Sequence, residues 1–396
     1  MKARFDSASV RWPLLLAVLS FSFFVALLPS AAEDRPSAKG VASVLQPFVE
    51  KHALAGAVTL IADKDKVLSL ESVGYADVAA KKSMTTDALF WIASQSKPIT
   101  ATALMMLVDE GKVKLDDPVE KYLPEFRGQW LAAERDNEHL LLKKPKHPLT
   151  VRNILSHTSG LPFKSAMEEP TLDLLPLRVA VRSYAMTPLL FDPESNYQYS
   201  NAGINTAGRI LEVVSGMPYE DFLDRRLFKP LGMKDTTFWP NDEQTKRLAK
   251  SYKPTNDKND LEEIKIGQLK YPLSDRARQP MPAGGLFSTA ADVGRFCQMI
   301  LNGGTFEGKR YLSEEAVKTM TSKQTGALKE GYGLGWSTHN GVFGHGGAQA
   351  TNMNIDPHHG LITVFMVQHA GFPKDGGKSG GAFQQAAMAR FGKERK

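Results

Sequence analysis

The chain has 396 residues, 42% of them apolar and 23% charged. That ordinary globular balance excludes a disordered or collagen-like chain, and at about 150 residues per domain the length suggests two or three domain-sized units. A single cysteine, Cys297, excludes an intrachain disulfide and a Cys-rich zinc site, and the formal net charge of +6 comes from scattered Lys and Arg with no long basic block, so no nucleic-acid partner is expected.

Residues 1–32 read as a secretory signal. Lys2, Arg4 and Arg11 make a positive start, Trp12 to Leu28 is apolar apart from Ser20 and Ser22, and Ser30-Ala31-Ala32 offers small residues for cleavage before Glu33. The alternative is an uncleaved anchor, with membrane contact confined to this segment. No Cys follows the apolar run, so a lipid anchor there is not expected. Either way the chain is expected in the periplasm or secreted.

Val41, Val44, Leu45 and Phe48 have helical spacing, so 40–53 is expected to be helical. Gly56–Ala62 and Val67–Val73 are β-rich runs separated by Asp63-Lys64-Asp65-Lys66, which predicts a hairpin. A long apolar helix is expected over 96–110, ending at Gly111. Residues 126–148 are polar and charged and read as a solvated surface insertion. Helical patterns follow at 149–156, 201–215 and 218–226. Thr289-Ala290-Ala291-Asp292 predicts a capping box opening a helix to about Leu301. Strands are expected at 333–336, 341–344, 351–355 and 361–367, and an Ala-rich helix at 382–391. This order predicts one sheet assembled from both ends of the chain, with a helical region inserted between them.

Three short motifs carry candidate chemistry. Ser94-Gln95-Ser96-Lys97 lies where an apolar run meets a helix. Three residues is nearly one turn, so Ser94 and Lys97 share a face. A lysine whose pKa is lowered by burial or neighbouring charge can take the serine proton and activate the hydroxyl. A capping serine beside a surface lysine would give the same tetrad. Tyr199-Ser200-Asn201 precedes the helix at 201–215. Tyr199 fits a core anchor or a proton relay, and Asn201 an N-cap, a contact to the acyl group or a hold on the lysine. Gly344-His345-Gly346-Gly347-Ala348 lies between strands, and its glycines permit close backbone approach to a ligand. The Ala348 N–H could pair with that of Ser94 as an oxyanion hole, each donor contributing about 3–4 kcal/mol to a transition state.

Together these residues resemble the β-lactamase and penicillin-binding-protein family of active-site serine hydrolases, in particular the branch with class C β-lactamases, D-aminopeptidases and family VIII carboxylesterases. S-x-x-K at 94–97, Y-x-N at 199–201 and H-x-G at 345–347 match in order. Flanking matches include Leu155–Leu161, Leu231-Gly232-Met233, Ala283–Leu286 and Gly331–Trp336. The resemblance spans about residues 38–370. It implies an α/β (α+β) fold of the β-lactamase/DD-peptidase type. A discontinuous sheet domain of 38–115 plus 283–396 would hold a mostly helical domain of 116–282. It implies Ser94 as nucleophile, Lys97 as base and Tyr199 as proton relay, with Asn201, His345, Gly347 and Ala348 around the substrate, and no cofactor or metal. The partner implied is a small acyl substrate: an ester or D-amino-acid-type amide, a β-lactam or D-Ala-D-Ala peptide, or, in a non-catalytic descendant, a peptidoglycan fragment or a protein. Relatives that process β-lactams carry a cation and a hydroxyl in the third motif. His345-Gly346-Gly347 has neither fixed charge nor hydroxyl, which favours substrates without a carboxylate there, although a protonated His345 would restore some of the charge.

Lys378-Ser379-Gly380 spells the missing motif and Gly377–Gly381 fits G-x-S-x-G, but both precede a helix rather than sit on a strand. The same stretch misses a P-loop because Phe372 stands where glycine is required. His358-His359 is expected in a hairpin turn.

Overall fold

The computed structural model describes residues 40–392, so the candidate signal over 1–32 lies outside the described residues. Among the described residues no helix is long and apolar enough to cross a membrane.

Strands β1 (Gly56–Ala62), β2 (Val67–Asp77) and β3 (Lys82–Ser83) come from the start of the chain. They are followed by helices α1 (Ser96–Asp109), α2 (Val151–Ser156), α3 (Leu177–Met186), α4 (Asn201–Ser215) and α5 (Ala290–Leu301). Strands β4 (Ser337–His339), β5 (Val342–Gly346), β6 (Asn352–Asp356) and β7 (Leu361–Met366) then precede helix α6 (Ser379–Phe391). All seven strands form one sheet in the order β4-β5-β6-β7-β1-β2-β3, each neighbour antiparallel. The two ends of the chain meet where β1 pairs with β7, Val58 opposite Met366 and Ala62 opposite Ile362.

Every residue of β1 is buried, which suits a central strand covered on both faces. Alternation sorts its side chains. Val58, Leu60 and Ala62 join the core that includes α1 and α5, while Ala57 and Ile61 pack with Val41, Leu45, Phe365 and Phe383 on the side of α6. Helix α5 lies close to the sheet because Gly294 lacks a side chain; a Cβ there would meet Leu60 Cδ1 at 2.8 Å. The β1–β2 turn is closed by Asp63, whose carboxylate accepts from the N–H groups of Asp65 and Lys66 at 2.9 and 2.8 Å.

Several expectations are refined. Residues 40–50 form a 3₁₀ turn (Gly40–Leu45) followed by a short helix (Gln46–Glu50) rather than one helix to 53. Residues 333–336 are not a strand. Gly335, at φ +76°, donates its N–H to Leu155 O at 2.9 Å, and Trp336 is buried against Phe296, so this loop turns inward and the strand begins at Ser337. The polar 126–148 stretch contains a two-stranded hairpin, Leu131–Arg135 with Leu140–Lys143, on which Leu140, Leu141 and Leu142 are exposed. The helix at 218–226 runs Tyr219–Leu223 and continues as a π turn over Asp224–Phe228. The capping box at 289–292 is half formed. Thr289 caps the Asp292 N–H, but the Asp292 carboxylate turns to Asp235 N and Thr236 Oγ1, at 2.7 and 2.9 Å.

Candidate active site

The short strand Phe90–Trp91 pairs with Phe287–Ser288, and Ile92 N–H donates to Leu286 O at 3.0 Å. The chain then enters a 3₁₀ turn, Ala93–Gln95, that leads into α1. Ala93 holds φ +46°, a left-handed conformation that costs a non-glycine residue roughly 1–3 kcal/mol and is typical of over-determined functional turns. Ser96 Oγ donates to Ala93 O at 2.7 Å and accepts from Leu286 N–H at 3.3 Å, pinning the turn from inside. Ser94 is left partly exposed while Ser96 and Lys97 are fully buried.

The S-x-x-K spacing brings Lys97 Nζ to 3.1 Å from Ser94 Oγ. The same amine donates to Asn201 Oδ1 and Ala283 O, each at 2.8 Å. Burial holds the amine well below the ordinary lysine range. A neutral amine has two N–H bonds and one lone pair. With both N–H bonds directed to Asn201 and Ala283, the lone pair faces Ser94 Oγ–H.

Tyr199 shares a hydrogen bond with Ser94, and burial pushes its hydroxyl above the usual phenol range, so it stands as a phenol rather than a tyrosinate. Its ring, not its hydroxyl, faces Lys97, with Nζ 4.6 Å from the ring centroid. Ser200 rather than Asn201 is the N-cap of α4: Ser200 Oγ accepts from Gly203 N–H at 3.1 Å, which frees the Asn201 side chain for Lys97.

His345 lies on β5, 6% exposed. Its Nδ1 lies 2.6 Å from Gly346 O and must donate to it, so Nε2 accepts from Tyr332 Oη–H at 3.0 Å. Burial, and then the Lys97 charge, lower His345 to about 3. It is therefore neutral with both nitrogens engaged, and it does not restore the missing cation of the third motif. Gly347 gives its N–H to Thr351 O at 2.8 Å, and a Cβ on it would meet Ile92 O at 2.6 Å, so the glycine serves the close approach of this turn to the nucleophile's loop. Ala348 is exposed, and its N–H has no hydrogen-bond partner among the described residues.

His157 and Tyr332 were legible only as flanks of longer motifs. His157 caps α2 at φ +63°, and its ring lies 4.5 Å from Tyr199 and 4.6 Å from Tyr332 between centroids. Its Nδ1 accepts from Ser200 N–H at 3.2 Å, which places the proton on Nε2, a buried atom with no hydrogen-bond partner among the described residues. Burial, then Lys97 and His345, hold it well below the usual histidine range. The decoys fall away from this site. Ser379 opens α6 and donates to Gly376 O at 2.7 Å, and His359 bonds Asp356 at 2.7 Å in the β6–β7 turn.

A family model described as Beta-lactamase matches residues 41–387. The chain is 30% identical to penicillin-binding protein 4 of Amycolatopsis lactamdurans over 332 residues, covering 80% of this chain and 81% of that protein. It is 34% identical to esterase EstB of Burkholderia gladioli over 209 residues, half of each chain. Among solved structures, EstCE1, a hydrolase with promiscuous acyltransferase activity, superposes with a TM-score of 0.73 at 26% identity, covering 88% of this chain and 97% of that one.

Proposed function

Because this chain belongs to the beta-lactamase family, we propose that it is an exported serine hydrolase that is acylated on Ser94 by ester or D-amino-acid-type amide substrates. The observation that carries the reading is a partly exposed Ser94 hydroxyl 3.1 Å from a fully buried amine whose other two bonds are already directed. Lys97 takes the Ser94 proton as Oγ attacks the acyl carbon. The oxyanion is met by the Ala348 and Ser94 N–H groups. The proton passes to the leaving oxygen or nitrogen through Lys97 or Tyr199, and the alcohol or amine departs. Water then repeats the sequence on the acyl-serine and releases the acid.

The substrate preference follows from His345. A neutral, buried imidazole with both nitrogens engaged offers no charge to a carboxylate, which favours esters over β-lactams and C-terminal peptides. Likeness to penicillin-binding protein 4 supports a second reading, a β-lactamase or D-Ala-D-Ala carboxypeptidase. A fluorophosphonate probe is expected to label the wild type and not Ser94→Ala. Absence of labelling in folded wild type would indicate a non-catalytic binding descendant. Rates on p-nitrophenyl butyrate, a chromogenic cephalosporin and a D-Ala-D-Ala peptide separate the enzyme readings, and fast cephalosporin turnover would refute the ester preference. Export rests on the pattern of residues 1–32. Its test is whether protein recovered from periplasm or medium begins at Glu33.

A further inference from the structure

A buried carboxyl that the mechanism above does not use sits at one end of a directed hydrogen-bond chain reaching Lys97. Glu168 is 2% exposed, and the nearby Lys164 is paired with Glu169 instead. Glu168 Oε2 accepts from Ser165 N–H at 2.8 Å, and Oε1 accepts from Tyr184 Oη–H at 2.6 Å. Tyr184 Oη in turn accepts from Asn205 Nδ2 at 3.0 Å. Asn205 Oδ1 accepts from Ala283 N–H at 3.0 Å, and Ala283 O receives Lys97 Nζ at 2.8 Å. Asn201 and Asn205 lie one helical turn apart on α4, so one face of that helix reaches the amine twice: directly through Asn201, and through Ala283 by way of Asn205.

We propose that Glu168, Tyr184 and Asn205 are positioning residues that hold the Ala283 carbonyl on Lys97 and so aim the amine's lone pair at Ser94. The proposal rests on the Ser94–Lys97 reading above.

An ionised carboxylate can only accept, so it fixes the Tyr184 proton toward itself and leaves the Tyr184 oxygen open to a donor. Only the Asn205 NH₂ can fill that place, which turns Oδ1 toward Ala283. Without the acceptor at 168, Tyr184 can donate to Asn205, the amide can flip, and its NH₂ then opposes the Ala283 N–H. Neighbours hold the same segment. Thr100 Oγ1 donates to Pro282 O at 2.8 Å, and a Cβ on Gly208 would come within 2.4 Å of Pro282 Cγ, so glycine alone admits the proline ring. A carbonyl on Nζ favours the ammonium form, which donates three bonds, over the amine, which donates two. Releasing that carbonyl therefore lowers the Lys97 pKa further and frees the lone pair to turn away from Ser94.

The test titrates Lys97 by NMR in protein labelled with ¹³Cε-lysine, the signal assigned with Lys97→Arg. Tyr199, His157 and His345 are the other titratable groups facing the amine. In Tyr184→Phe the Lys97 midpoint is expected to fall by about half a unit or more, and kcat on a p-nitrophenyl ester by about tenfold with KM within about twofold. Glu168→Gln, which keeps the volume and loses one acceptor, should move both in the same direction, and it decides the matter if Tyr184→Phe does not fold. The midpoint is decisive. A downward shift supports the relay, and an unmoved midpoint in a folded variant overturns it. Because the midpoint is read without turnover, it stands apart from the fluorophosphonate result on Ser94.

Discussion

At the scale of single residues, the site turns on how many acceptors surround one amine. Lys97→Met keeps the bulk of the side chain and removes the base, so kcat/KM is expected to fall by about 10³-fold or more while the protein stays folded. Lys97→Arg should fare no better, because a guanidinium remains protonated and cannot accept the Ser94 proton. Tyr199→Phe should lower kcat by about 10²–10⁴-fold on poor leaving groups. With Lys97 as base, kcat/KM rises with pH through its depressed titration and levels off at a lower pH than an exposed lysine would allow. The Ser94–Lys97 pair was legible because helical period is a property of sequence. So was the absence of a fixed charge at His345. The engagement of His157 and Tyr332 was not. Each meets partners on another element, Ser200 and Tyr199 for one and His345 for the other, and no helical or strand spacing encodes that.

At the scale of elements, alternation and glycine explain both the successes and the misses. The β-rich run of β1 and the turn from Asp63 identified the first hairpin, the apolar period identified α1 and α4, and the Thr289 cap marked the start of α5. The stretch 333–336 was misread because alternating glycine and apolar residues imitate a strand. Here Gly335 serves close packing: a Cβ would lie 2.7 Å from Ala101 Cβ and 2.9 Å from Lys97 O, at a positive φ. Gly335→Ala should therefore destabilise the protein by about 2–4 kcal/mol, read as a lowered urea midpoint, and should disturb the helix at the turn that carries Lys97. Likewise the Asp292 carboxylate could not be placed from Thr289-Ala290-Ala291-Asp292, because its partners come from residues 235 and 236.

At the scale of the whole molecule, buried ionisable groups set the response to acid. His345 and His369 are lowered by burial to about 3 and about 4, so below pH about 6.5 the unfolded chain takes protons that the native state refuses. Stability therefore falls as pH drops, by about 2 kcal/mol for each histidine at pH 5. Asp292, raised to about 6 by burial, opposes this and returns about 1 kcal/mol over the same interval. Urea titrations at pH 7.5 and 5 should show the net loss, and His369→Gln should flatten it. A second lever is the buried pair Arg278–Asp173, at 2.7 Å with both side chains almost fully enclosed. Asp173→Asn should cost about 3–5 kcal/mol, because it strands a guanidinium out of water. The sheet carries a further consequence for synthesis. Strand β1 is flanked by β7, so a growing chain cannot close its central ladder until Leu361–Met366 has left the ribosome. Closure of the sheet must wait for that strand, and a chain truncated before residue 361 should remain open to protease at β1.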